Sequence, residues 1–170
     1  MAGIIYELIE VLKEQKECYE GLYTLAKYKQ DAVVAKDLVL LEEVVTTEEQ
    51  FVGRVGLLDK KREVLLKDIS IVTGMDYGKL NVSGIVEKLG KENEVSQTLL
   101  TIKDELRLLI EKLKKQNELN TILINQSLEL VDFTINAIGS TKGYAHVGSY
   151  NRPGEDPLTE RQRSFFDKKQ

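Results

Sequence analysis

Residues 95–137 read VSQTLLTIKDELRLLIEKLKKQNELNTILINQSLELVDFTINA, and this stretch decides the fold. Val95, Leu99, Ile102, Leu106, Leu109, Leu113, Gln116, Asn120, Leu123, Ser127, Leu130, Thr134 and Ala137 recur at alternating intervals of four and three residues. Side chains three and four apart share one face of an α-helix, so the spacing predicts a helix over about 91–138 with one continuous stripe. The alternation is the heptad pattern of a helix that lies along other helices. At about 1.5 Å per residue such a helix is roughly 70 Å long and needs neighbours to cover its stripe. The expected fold is therefore all-α: an elongated antiparallel helical bundle or coiled coil.

Two further helical segments precede it. Over about 35–73, Leu38, Leu41, Val45, Val52, Val55, Leu58, Leu65, Ile69 and Val72 form an apolar stripe, with Asp31 or Asp37 available to cap the start. Gly53 and Gly56 fall in its middle, each unfavourable by about 1 kcal/mol relative to Ala. They are either tolerated weak points or places where another helix comes close. Gly74 and Gly78 are suited to end this helix. Over about 3–30 the stripe is Ile5, Leu8, Leu12, Tyr19, Leu22 and Ala26, interrupted by Gln15. A short connector helix is expected at 82–89, capped by Asn81 or Ser83 and stopped by Gly90. Gly139 is expected to close the last helix, which gives a helical bundle over 1–139.

The periodicity ends there. Residues 140–170, STKGYAHVGSYNRPGEDPLTERQRSFFDKKQ, hold both prolines of the chain and read as a flexible C-terminal tail. The tail carries six basic and four acidic residues, so it is +2, while the body is −6 within a net charge of −4. A net negative chain of this kind excludes a general nucleic-acid surface. The hydrophobic share of 42% against 31% charged residues suits long exposed helices with a narrow core. The single cysteine, Cys18, cannot form an intrachain disulfide and suits a reducing compartment. Residues 1–15 lack the unbroken apolar core of a signal peptide, and no stretch approaches the roughly 18 apolar residues that span a bilayer. The expected location is the cytoplasm, with no membrane insertion.

Catalytic and cofactor chemistry finds no support. The lone His146 cannot pair with a second histidine, and Glu42, Glu43, Glu48 and Glu49 adjoin on a helix surface. The Gly-rich stretch around Lys142 follows a helix and lacks the spacing of a phosphate loop. The sequence thus predicts no enzyme, no metal and no cofactor. The more informative feature is the amide-rich later half of the last helix: Gln116, Asn117, Asn120, Asn125, Gln126 and Ser127. Polar seam residues fix helix register. Alternatively, this half is incompletely packed and offers Leu119, Leu123, Leu130, Phe133 and Ile138 to a partner helix. In the tail, Tyr144, Tyr150, Phe165 and Phe166 are candidate docking residues, because purely disordered segments are poor in aromatics.

Three stretches together resemble the FlgN family of flagellar export chaperones. They are LIEVLKEQKECYEGLYTLAKYKQDAVVAKDLVLLEEVV near the start, KQNELNTILINQSLEL in the last helix, and the tail. In the tail, Tyr150–Gly154 is similar to the family's Tyr-Gly-x-x-Gly element, with Asn151 where Gly is usual, and SFFDKK is similar to its closing residues. The resemblance implies a cytoplasmic chaperone that binds the terminal helices of hook-associated (hook–filament junction) proteins, prevents premature assembly and delivers them to the export gate. It implies client binding around Asn117, Asn120, Leu123, Ile124, Ser127, Leu128 and Val131, and an export-gate contact at Tyr144 or Tyr150. The rival reading is a structural self-associating coiled-coil protein or adaptor. A homodimer, or an exchange of tails between molecules, is compatible with either.

Overall fold

The computed structural model describes residues 2–145. Helix α1 spans Ala2–Ala35 and α2 spans Leu38–Thr73. A 3₁₀ turn at Tyr77–Lys79 and the short helix α3 (Val82–Leu89) lead to α4, which spans Glu94–Ala145. No strand occurs among the described residues, and the chain is an all-α helical bundle. It divides into two compact units, residues 1–129 and 130–170.

Local chemistry sets the helix ends. Lys36 takes a left-handed φ of 58°, and Asp37 behind it accepts the Leu40 backbone N–H at 3.0 Å. Asp37 is thus the N-cap of α2, whereas Asp31, the other candidate, lies inside α1. Gly74 closes α2 at φ 67°, a conformation that a Cβ would strain. Asn81 caps α3 by accepting the Gly84 N–H at 2.8 Å, and Gly90 ends it at φ 92°. Asn93 accepts the Val95 N–H and starts α4 two or three residues later than the periodicity predicts.

In the first unit, α1 and α2 run antiparallel, since Gln15 meets Asp59 and Lys29 meets Glu48. α4 runs parallel to α1: Lys16 donates to Glu105 at 2.7 Å, and Asn120 reaches Ala26 ten residues further along. The aliphatic core lies where α1, the later half of α2, α3 and the first turns of α4 meet. Leu8, Val11, Leu12, Leu58, Leu65, Ile69, Ile85, Val86, Leu99 and Ile102 are buried there. Each such side chain contributes about 1.5–3 kcal/mol relative to an exposed one. Lys103 ties α3 to α4 by donating to Ser83 at 2.8 Å. Within this core Gln15 is buried too, held by Asp59 at 2.7 Å and by the Arg62 guanidinium.

Further along the α1–α2 pair, Phe51 sits on Gly21. A Cβ built there would stand 2.5 Å from the ring. The close approach therefore belongs to a glycine of α1. At Gly53 and Gly56 an added Cβ meets nothing within 4 Å, so these two are open surface and not a helix crossing.

The buried stripe of α2 also differs from the apolar pattern. Val44, Phe51, Val55, Leu58, Leu65 and Ile69 face inward, while Leu38, Val45, Val52 and Val72 are exposed. Seam positions 48 and 62 are occupied by Glu48 and Arg62, which are half-buried through polar partners. Two charged residues on the seam displaced the apparent stripe by one residue.

In the second unit, residues 130–145 are helical, and α4 passes through Gly139 instead of stopping there. A glycine inside a helix is unfavourable by only about 1 kcal/mol, which neighbouring hydrogen bonds can carry. Leu130, Val131, Phe133, Ile135 and Ile138 are all exposed. Residues 146–170, which make up most of the expected tail, lie outside the described residues.

A candidate docking groove on α4

Beyond Leu106 the character of the α4 seam changes. Leu109, Leu113 and Gln116 are half-buried, Asn120 is buried, and Leu123 and Ser127 are half-buried. The contacts here are largely amides. Asn120 Nδ2 donates to the Ala26 carbonyl oxygen at 2.7 Å. Gln116 Nε2 donates to Gln30 Oε1 at 2.6 Å and to Asn120 Oδ1 at 3.3 Å. These bonds satisfy the buried polar groups and fix the register of α4 on α1, since a shift of one turn would orphan them.

Beside this lock, α1, α2 and α4 enclose a cleft of about 350 Å³. Leu22, Val52, Leu113 and Ile124 supply its apolar walls, and Asn117, Asn120 and Thr121 its polar edge. Lys29 and Glu48 form an ion pair across it, each side chain 17% exposed. Partial burial strengthens such a pair relative to a surface one and couples α1 to α2 at this level.

The expected site residues separate into three groups. Asn117, Asn120 and Ile124 meet at the cleft. Leu123 and Ser127 lie on the seam, and the Ser127 hydroxyl donates back to the Leu123 carbonyl at 2.9 Å. Leu128 is exposed; Val131 is exposed as well and belongs to the second unit. Leu119 and Ile122 are also exposed on α4. Asn120 is therefore a register residue whose amide is already engaged. The periodicity missed Lys29 and Glu48, and it put Val52, a wall of the cleft, on the buried stripe. A charged residue of each sign at facing seam positions was the available signal. Tyr144 falls in the last turn of α4, while Tyr150, Phe165, Phe166 and His146 lie outside the described residues.

Other chemistry is sparse. Among the described residues no cluster of three or more His, Cys, Asp or Glu is arranged to hold a metal ion. Among the described residues no helix is long and apolar enough to cross a membrane. Cys18 is fully buried, and its desolvation pushes the thiol pKa above its ordinary value.

A family model described as FlgN protein matches residues 1–157. The chain belongs to the FlgN family. Membership places it among the chaperones of flagellar assembly and export, a family of binding proteins and not of known enzymes. Comparison with curated proteins and with solved structures gave no match. In this FlgN-family chain the match covers all of α1 to α4, so the groove lies within the family's shared part.

Proposed function

We propose that this chain is a cytoplasmic export chaperone that holds the terminal helices of hook–filament junction proteins and releases them at the export gate. The observation that carries the reading is apolar surface left uncovered on α4. Leu128 is exposed one turn beyond Ile124 of the cleft, Leu119 and Ile122 are exposed on the other side of α4, and Leu130, Val131, Phe133, Ile135 and Ile138 are exposed in the second unit. Large apolar side chains at helical spacing suit a client helix that needs its own apolar face hidden. A helix laid in such a groove buries roughly 600–1,000 Å² per partner, enough for micromolar to nanomolar binding.

In this reading Leu128 anchors the client, Ile124 and the cleft receive a smaller side chain, and Asn117 and Thr121 supply polar contacts at the edge; Val131, in the second unit, is a separate client contact. Asn120, Leu123 and Ser127 hold the helix that presents them. Residues 140–170 act as the delivery segment, with Tyr144 or Tyr150 touching the gate and Phe165 and Phe166 as further docking residues.

The test uses Leu128→Asp with Val131→Asp. Both side chains are exposed, so helicity by circular dichroism should persist. Calorimetric titration with junction-protein terminal-helix peptides should show at least about a tenfold loss, the scale of one lost apolar anchor. Unchanged affinity in the folded double variant refutes the groove placement. Deleting 140–170 should spare client binding and abolish gate binding.

A further inference from the structure

α2 covers one stripe against its neighbours and leaves a second one open. Val39, Leu57, Val64 and Ile71 are exposed at 70%, 69%, 56% and 79%. They belong to a run at 39, 43, 46, 50, 53, 57, 60, 64, 67 and 71, the same alternation of four and three residues that marks the buried seam. A stripe of this period, about 48 Å long, has the geometry of a coiled-coil seam without its partner. Its middle is unobstructed, because a Cβ added at Gly53 would meet nothing within 4 Å.

The charges on α2 decide what fits. Its first half carries Glu42, Glu43, Glu48 and Glu49 and no base. From Arg54 onward it carries five bases against three acids. Two copies laid in parallel would set Glu43 on Glu43 and Lys60 on Lys60. Laid antiparallel about a two-fold axis at residue 55, they set Val39 on Ile71, Glu43 on Lys67, and Thr46 on Val64. Gln50 then meets Lys60, and Leu57 enters the space left by Gly53. Every facing pair is compatible, and the symmetry makes each pair twice. Moving the register by one heptad breaks this. In one direction Leu57 faces Lys60; in the other Ile71 has no partner and Lys67 faces Lys36.

We propose that a second copy of this chain docks here, α2 against α2 in antiparallel two-fold register, leaving the α4 groove free. The seam is half polar, so the dimer is reversible and weakens with salt. Lys67 leans toward the Tyr77 ring at 5.8 Å, and this exposed contact leaves its ammonium available to an acidic partner.

Sedimentation equilibrium of the full chain, over micromolar to submillimolar concentration, tests the proposal. The wild type should show a monomer–dimer equilibrium. Leu57→Asp with Val64→Asp should abolish it while circular dichroism stays unchanged. Glu43→Lys and Lys67→Glu should each weaken it, roughly tenfold, by placing like charges face to face twice. Combining those two swaps in one chain should restore the dimer, because the pairs re-form with exchanged signs. A wild type that stays monomeric throughout, a dimer indifferent to the Leu57 and Val64 changes, or a double swap as weak as its singles would each overturn the interface.

Discussion

Asn120→Asp is the most pointed test of how α4 docks. The change replaces an NH₂ donor with oxygen at almost constant volume. In the wild type that NH₂ donates to the Ala26 carbonyl at 2.7 Å, with the residue 2% exposed. A carboxylate there would face a carbonyl oxygen with no hydrogen between them. One oxygen would keep the Gln116 amide, which offsets part of the penalty. The lost hydrogen bond is worth about 1 kcal/mol, and a partly compensated buried charge adds a few more, giving roughly 2–4 kcal/mol in total. For a unit of this size that lowers Tm by roughly 10 °C.

The effect should depend on pH, with a definite sign. An Asp buried against a carbonyl has a raised pKa, whereas in the unfolded chain it titrates near about 3.9. Below that pH both states are protonated, the Asp hydroxyl can donate to Ala26, and the penalty vanishes. Above it, the unfolded state gains by ionising and the folded state does not, so destabilisation grows with pH. Thermal melts of wild type and variant from pH 3.5 to 8 should converge at the acid end and separate above it. Equal stability at pH 7 would refute the buried amide contact, and with it the docking of this part of α4 on α1.

Two glycines should respond oppositely to alanine. Gly56→Ala should raise stability by about 0.5–1 kcal/mol through helix propensity, since nothing lies within 4 Å. Gly21→Ala should instead lower it by about 1–3 kcal/mol, because its Cβ would stand 2.5 Å from the Phe51 ring; chemical denaturation of both variants checks the contrast. Cys18 should resist thiol reagents in the native protein and react promptly once unfolded. Because burial raises its pKa from 9.0, the folded state holds its proton longer than the unfolded chain does. Stability should therefore be intact below pH 9.0 and fall as pH rises above it, and Cys18→Ala should flatten that slope.

The α4 seam was readable in advance because every position from Val95 to Ser127 held a residue at heptad spacing, and each is buried or half-buried in the structure. The start of α2 was not. Glu48 and Arg62 occupy seam positions, and exposed Val45 and Val52 lie beside the true ones, so apolarity pointed to the wrong face. Only the positions of Lys29 and Gln15 on α1 explain why those charges turn inward. At the groove, Asn120 was legible as a polar seam residue, but its partner is the backbone of Ala26, which no side-chain pattern reveals. Gly21 was silent for a related reason, as its role is to leave room for Phe51.

The parallel pairing of α1 with α4 also sets an order of events during synthesis. The hairpin of α1 and α2 has its partners close in sequence, so it can zip as soon as Thr73 has emerged. Its seam against α4 must wait for Leu99, Ile102 and Leu106, about ninety residues downstream of the α1 residues they cover. At about 5–20 residues per second that interval lasts roughly 2–7 s for the 33 residues from Thr73 to Leu106. For that time a nascent chain carries a bare apolar strip, and Ile85 and Val86 of α3, members of the same buried cluster, emerge in between.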